Sequence, residues 1–408
     1  MDYEKRNLLI MVVCNFLVAA SMTMVLPFIS LYISTFGHFS DEYIQRWAGF
    51  IFGVTFVTAF LMSPVWGRIG DKYGFKPILV MNGLGIATSI FLMGFMDHVH
   101  GLFLLRLIMG IVTGFIPTST ALISKQTSKK EVGKVLGTLQ MGTVSGTLFG
   151  PVIGGLMADS FGFQYTFVIT SVSIVIATIV VILGIVEKPL APGEKKKTQP
   201  SRIDVMRMII SRRMLLSVMA IAFIIQVGLF SIQPLLALYV SELTTGSNLA
   251  FLSGLAFSAT GFGNLLLTRK WGDLGDRIGH DKVLMILLVL AAILIVPQAL
   301  VTALWQLVFL RFLFGMAVGG MLPCITAHIR MESPLELQGE ILGYNQSFRF
   351  LGNVAGPLLG GIISAQFDIS TVFYVTGSLF LFGFAMLWWS MKQKESRFKE
   401  MLDGTHSK

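Results

Sequence analysis

The chain has 408 residues, 54% of them hydrophobic and only 13% charged, against roughly 45 to 50% and 25% in soluble proteins, so a water-soluble globule is excluded. A net charge of +9 invites a nucleic-acid partner, but the placement of that charge along the chain, taken up below, removes it. The two cysteines, Cys14 and Cys324, both fall in apolar stretches, which excludes a disulfide framework and any metal-ligand spacing.

A membrane-spanning helix needs about 20 consecutive apolar residues. Twelve stretches meet that requirement, over 8–33, 47–66, 77–96, 102–123, 135–157, 163–186, 214–240, 250–268, 283–302, 305–328, 341–364 and 371–391. The first is too long for a removable signal peptide and lacks a small-residue cleavage site, so it is expected to remain as the first span. Residues 1–186 form one six-span bundle and 214–391 a second. Between them, 187–213 carries Pro189, Pro192, Gly193, the run Lys195 to Lys197 and Pro200, and reads as a hydrated linker with a short amphipathic helix over 203–210. Residues 392–408 read as a cytoplasmic tail.

If the amino terminus is cytoplasmic, both termini lie inside and 27 of the 31 Lys and Arg residues do too; only Arg46 lies outside, and Arg106, Arg311 and Arg349 fall within spans. That asymmetry is the positive-inside rule, and it predicts a multi-pass plasma-membrane protein. The basic charge is therefore topology and contact with anionic lipid. No nucleic-acid partner is expected.

The chain also repeats itself. Gly67 to Gly74 (GRIGDKYG) recurs as Gly272 to Gly279 (GDLGDRIG) at an offset of 205, each after a tryptophan, Trp66 and Trp271. Arg106 recurs as Arg311 at 205, Gly150 to Gly155 (GPVIGG) recurs as Gly356 to Gly361 (GPLLGG) at 206, and Pro27 to Ser34 recurs as Pro234 to Ser241 at 207. A near-constant offset across separated motifs marks an internal duplication, and parallel repeats of this kind build some secondary transporters.

These motifs carry a resemblance. Over essentially its whole length the chain resembles the major facilitator superfamily and, within it, the twelve-helix drug:proton antiporters of the Gram-positive multidrug efflux type. The resemblance implies an all-α fold of two six-helix bundles. Gly67, Asp71, Lys72, Gly74 and Lys76 resemble the family's cytoplasmic latch between the second and third spans, with Gly272, Asp276, Arg277 and Gly279 as its echo. The glycines permit a tight turn, and Asp71 is an acid able to meet the positive end of a neighbouring helix. A solvated charged turn is the alternative. Lys72 and Phe75 stand where the family usually has arginines.

Arg106, in the sequence LLRLIMG, resembles the arginine implicated in proton transfer in the fourth span. A structural arginine held by backbone carbonyls reads equally well, and Arg311 reads as its structural echo. Gly142, Gly146, Gly150, Pro151, Gly154 and Gly155 resemble the fifth-span signature of exporters. Glycines four apart flatten one helix face and Pro151 bends the span, which suits a rocking interface between the halves.

The polar residues of the spans are mostly amides. Gln140 and its repeat partner Gln346, together with Asn15, Gln226, Gln233, Asn264 and Asn345, are candidates for a neutral central pocket. Each also reads as interhelical glue worth about 1 kcal/mol. Tyr32, Phe230 and Phe257 would supply an adaptable aromatic wall. Arg349 has no repeat partner, because position 143 is threonine, and it suggests an anionic part of the cargo.

No Asp or Glu falls near the midpoint of any span. Proton coupling is therefore expected at Asp71, Glu340 or His328 near the cytoplasmic mouth, at Asp97 near the outer end, or through Arg106. The chain is expected to export amphipathic small molecules in exchange for protons by alternating access, with no cofactor beyond the proton gradient and no obligatory protein partner. A dedicated exporter of one metabolite or siderophore is the alternative. No convergent titratable cluster suggests an enzyme.

Overall fold

The computed structural model describes residues 3–127, 131–187, 202–244, 248–334 and 337–406. The surroundings of Gly67 and the side chains of Asp71 and Glu340 lie outside the described residues. Twelve helical spans long and apolar enough to cross a membrane lie among them, from Tyr3–Ser34 to Ile369–Gln393. The linker contains a helix over Arg202–Ser211, and the last helix continues without a break past 392 to His406.

The spans form two bundles, each with its own apolar core. One is built from residues such as Phe28, Ile51, Leu79, Phe115 and Phe167, the other from Met219, Leu236, Leu287, Phe314 and Phe380. The duplication is visible in hydrogen bonds as well as in sequence. Prolines interrupt the first and seventh spans with short 3-10 turns over Leu26–Phe28 and Gln233–Leu235. Just beyond each turn a buried tyrosine pins the chain to the end of the neighbouring hairpin. Tyr32 Oη donates to the Met93 and Met96 carbonyls at 3.0 and 2.9 Å, and Tyr239 Oη to the Gln298 carbonyl at 2.7 Å.

The fourth and tenth spans break near Gly114 and Gly319. A helix break leaves carbonyls without an amide partner, and a tryptophan indole meets one in each half. Trp66 Nε1 donates to Ile111 O and Trp271 Nε1 to Met316 O, both at 2.7 Å.

The tyrosine pins give a first prediction. Tyr32→Phe and Tyr239→Phe should each lower stability by about 1 kcal/mol, the usual net worth of one hydrogen bond. Because the pins belong to separate cores the losses should add. Equilibrium unfolding of purified protein in denaturing detergent measures this.

Candidate functional site: the cavity between the halves

The fifth-span glycines do not all face the other half, as the sequence suggested. A Cβ at Gly142, Gly146, Gly150 or Gly154 would strike the carbonyls of Val12, Phe16, Ala20 and Met24 in turn, so this four-residue stripe packs backbone to backbone on the first span of its own bundle. In the second half Gly352, Gly356 and Gly360 meet the carbonyls of Phe223, Val227 and Ser231 in the same way. What crosses between the bundles is the adjacent face, about 100° around the helix.

At the end remote from the linker, a Cβ on Gly155 would meet the Ala250 carbonyl and one on Gly254 the Pro151 carbonyl. Gly49 on the second span likewise meets the Pro357 carbonyl of the eleventh. Ser258 Oγ donates to the Leu148 carbonyl at 2.7 Å. The Asp159 carboxylate accepts the amides of Ala250 and Phe251 at 3.1 and 2.7 Å. Those are among the first amides of the eighth span, whose own N-cap residue, Asn248, makes no side-chain cap bond. Asp159 thus caps a helix of the opposite bundle.

The close backbone contacts between the halves described above all lie toward the far end. Gly137, Gly272 and Gly343, on the fifth, eighth and eleventh spans, all face open space. Between the halves lies a cavity of about 440 Å³, bounded by the fifth, seventh and eighth spans and reaching Arg311 and Phe314 on the tenth.

Five expected residues line it: Gln140, Phe230, Gln233, Phe257 and Asn264. Others sit elsewhere. Tyr32, expected in the wall, is the tyrosine pin, its ring packed on Phe36, Phe163 and Phe167. Asn15 accepts from Ser119 Oγ at 2.9 Å and ties the first span to the fourth. Gln226 and Asn345 are buried, the former against Gly352. Gln346 accepts from Arg349 Nη1 at 2.9 Å within one helical turn.

At the linker end, Gly74 and Gly279 hold φ of 91° and 102°, a left-handed conformation that favours glycine. Glu187, the first linker residue, accepts the Phe75 and Lys76 amides, both at 2.8 Å, while Lys76 Nζ donates to the Ile185 carbonyl. Lys72 lies over the Tyr73 ring. Asp276 meets His280 Nε2 at 3.1 Å, within its own turn, and Arg277 lies in the last turn of the eighth span. His328 is buried.

Arg106 is buried at 3% exposure with its Nε unpartnered. Asp97 does not join it; it sits on the surface and bonds His98 Nδ1 at 2.7 Å. That bond holds the Asp97 carboxyl below the usual carboxylate range. A depressed acid keeps its charge as pH falls until its own lowered value is reached, so Asp97 stays ionised through the neutral range. Asp97→Asn should therefore leave the pH profile of transport unchanged between about pH 5 and 8, which an initial-rate series measures.

Two repeated six-span bundles, in backbone contact at the far end and with a cavity between them, define a transporter of the two-bundle class. The sequence comparisons agree. A profile described as the Major Facilitator Superfamily matches residues 11–270 and 248–406. The chain is 58% identical to the uncharacterized MFS-type transporter YuxJ of Bacillus subtilis (strain 168), over 94% of this chain and 98% of that protein. It is 37% identical to the multidrug resistance protein MdtG of Serratia proteamaculans (strain 568), over 97% and 96% of the two chains.

Among solved structures, a bacterial homolog of the human lysosomal transporter Spinster, inward-facing and unoccupied, aligns with a TM-score of 0.81 at 15% identity, over 96% of this chain and 98% of that one. The nucleoside transporter NupG aligns at 0.79 with 13% identity, over 96% and 100%. The chain belongs to the major facilitator superfamily and is a multi-pass membrane transporter.

Proposed function

We propose that this chain exports amphipathic small molecules across the plasma membrane by alternating access, in exchange for protons. The observation that carries the reading is the cavity itself. Its lining combines aromatic and aliphatic walls with scattered amides and hydroxyls, the mix that holds drug-sized amphipaths. It lies between repeats that meet backbone to backbone at the far end. The fifth-span signature and the MdtG relatives, named as multidrug resistance proteins, support outward movement.

In the twelve-span topology read from the sequence, 27 of 31 basic residues fall on the linker side, and by the positive-inside rule we assign that side, and both termini, to the cytoplasm. The conformation is then inward-open. No carboxylate stands among the described residues lining the cavity, so proton coupling belongs outside it. Asp71, Glu340 and His328 at the linker end, with Arg106 in the fourth span, are the groups we assign to it.

Cells expressing the chain should accumulate several-fold less of at least one fluorescent amphipath from a varied panel than matched cells without it. Adding an uncoupler should erase the difference. Equal accumulation across the whole panel would count against export.

A further inference from the structure

Arg311 and Arg106 are repeat partners with different surroundings. Arg311 lines the cavity at 5% exposure, while Arg106 is not among the described lining residues. Every other described lining residue is neutral. A guanidinium carries five N–H donors. Arg311 Nε donates to the Ala256 carbonyl at 2.8 Å, and among the described residues no carboxylate answers its charge.

Two more polar groups beside the cavity lack a partner among the described residues. The hydroxyls of Thr143 and Thr260, both lining residues, are buried without a partner. Buried hydroxyls and charges at membrane depth are costly when unmatched, and such groups mark where a ligand supplies the missing partner. Phe230, Phe257 and Phe314 are the aromatic members of the same lining.

We propose that Arg311 is a specificity-determining residue and that this cavity takes organic anions. The bound molecule sets a carboxylate or similar oxyanion against the Arg311 guanidinium, accepts from a threonine hydroxyl, and lays an apolar body on the phenylalanines. A lipophilic cation is repelled by Arg311 and meets no carboxylate there, because no described lining residue is acidic. The sense in which the anion moves rests on the export reading above; the preference in binding does not.

The test uses three fluorescent probes with one body: pyrenebutyrate, its uncharged amide, and the matching pyrenyl trimethylammonium cation. Binding is measured on the purified full chain in detergent. Gradient-driven movement is measured separately in inverted vesicles. The intact protein should bind the anion at least about tenfold tighter than the amide, as expected for hydrogen bonds to a charged group, with the cation weakest. Arg311→Gln should bring anion and amide to within about twofold of each other, and Arg311→Lys should restore part of the gap.

Equal binding, a preference for the cation, or no binding of any probe by the intact protein overturns the proposal, whether or not a variant folds. So does an anion preference that survives in folded Arg311→Gln. Anion-selective binding that depends on Arg311, without movement in vesicles, upholds the site and counts against export alone.

Discussion

Replacing Gly155 by leucine is expected to lower transport by about five- to 150-fold, the range that overpacking by about 1–3 kcal/mol produces. Gly155 sits where the fifth and eighth spans approach through their backbones. A Cβ there collides with the Ala250 carbonyl and lies 2.7 Å from the Phe251 Cα. Backbone cannot swing aside as a side-chain tip can, so the larger residue must wedge the far end open. The penalty falls on the state closed at that end, because parting the spans relieves it. Gly254→Leu, pressing on the Pro151 carbonyl, should do the same from the other bundle.

The readout is a reporter cysteine in place of Phe257, in protein lacking Cys14 and Cys324. A membrane-impermeant thiol reagent added outside intact cells should label it in Gly155→Leu and leave the parent unlabelled. Normal transport by the leucine variant would mean that the two spans need not close.

The second large effect is expected at Asp159. Its two bonds to the Ala250 and Phe251 amides cap the eighth span across the interface, and opening the far end must break both. Losing a cap costs about 0.5–2 kcal/mol, and here the whole loss falls on the far-closed state. Asp159→Ala should move the equilibrium toward the far-open state by about two- to thirtyfold. Asp159→Asn keeps one acceptor oxygen and should fall between. Spin-label distances between the far ends of the fifth and eighth spans measure the populations, and a thermal melt separates this from general unfolding. Unchanged distances in Asp159→Ala would remove the cap from the account. At the junction of the second and eleventh spans no such carboxylate is found among the described residues, and Ser40 caps the second span within its own bundle, so the two seams are unequal.

Much of this architecture was legible in the sequence, because it depends on properties that sequence records directly. Span length, the 205- to 207-residue offset and glycines four apart need only apolarity and periodicity to be seen. The glycine stripe, however, announces close packing without saying against what. Its placement on the first span, with only the neighbouring Gly155 face crossing to the eighth, is decided by helix rotation.

The pocket was read in part for a similar reason. Amides in spans flag polarity, and Gln140, Gln233 and Asn264 do line the cavity, but nothing local separates them from Asn15, which is spent on Ser119. Tyr32 sits in a repeated motif, and the repeat was informative about a hydrogen bond, not a cargo. Arg311 and Arg106 are matched in sequence and unequal in surroundings, because the cavity extends into the second bundle. Asp159 and Glu187 looked like ordinary acids at span ends. Both prove to hold helix amino termini, a role that depends on which helix end lies opposite.

The central claim is outward, proton-driven movement through this cavity, and inverted membrane vesicles test it most directly. With the cytoplasmic face outward and an acidic lumen imposed, a fluorescent amphipath should accumulate inside, and an uncoupler should release it. Fifth-span closure predicts that Gly155→Leu vesicles, equally energised, stay empty. Accumulation that ignores the uncoupler, or movement out of the vesicles down the same proton gradient, would contradict the account.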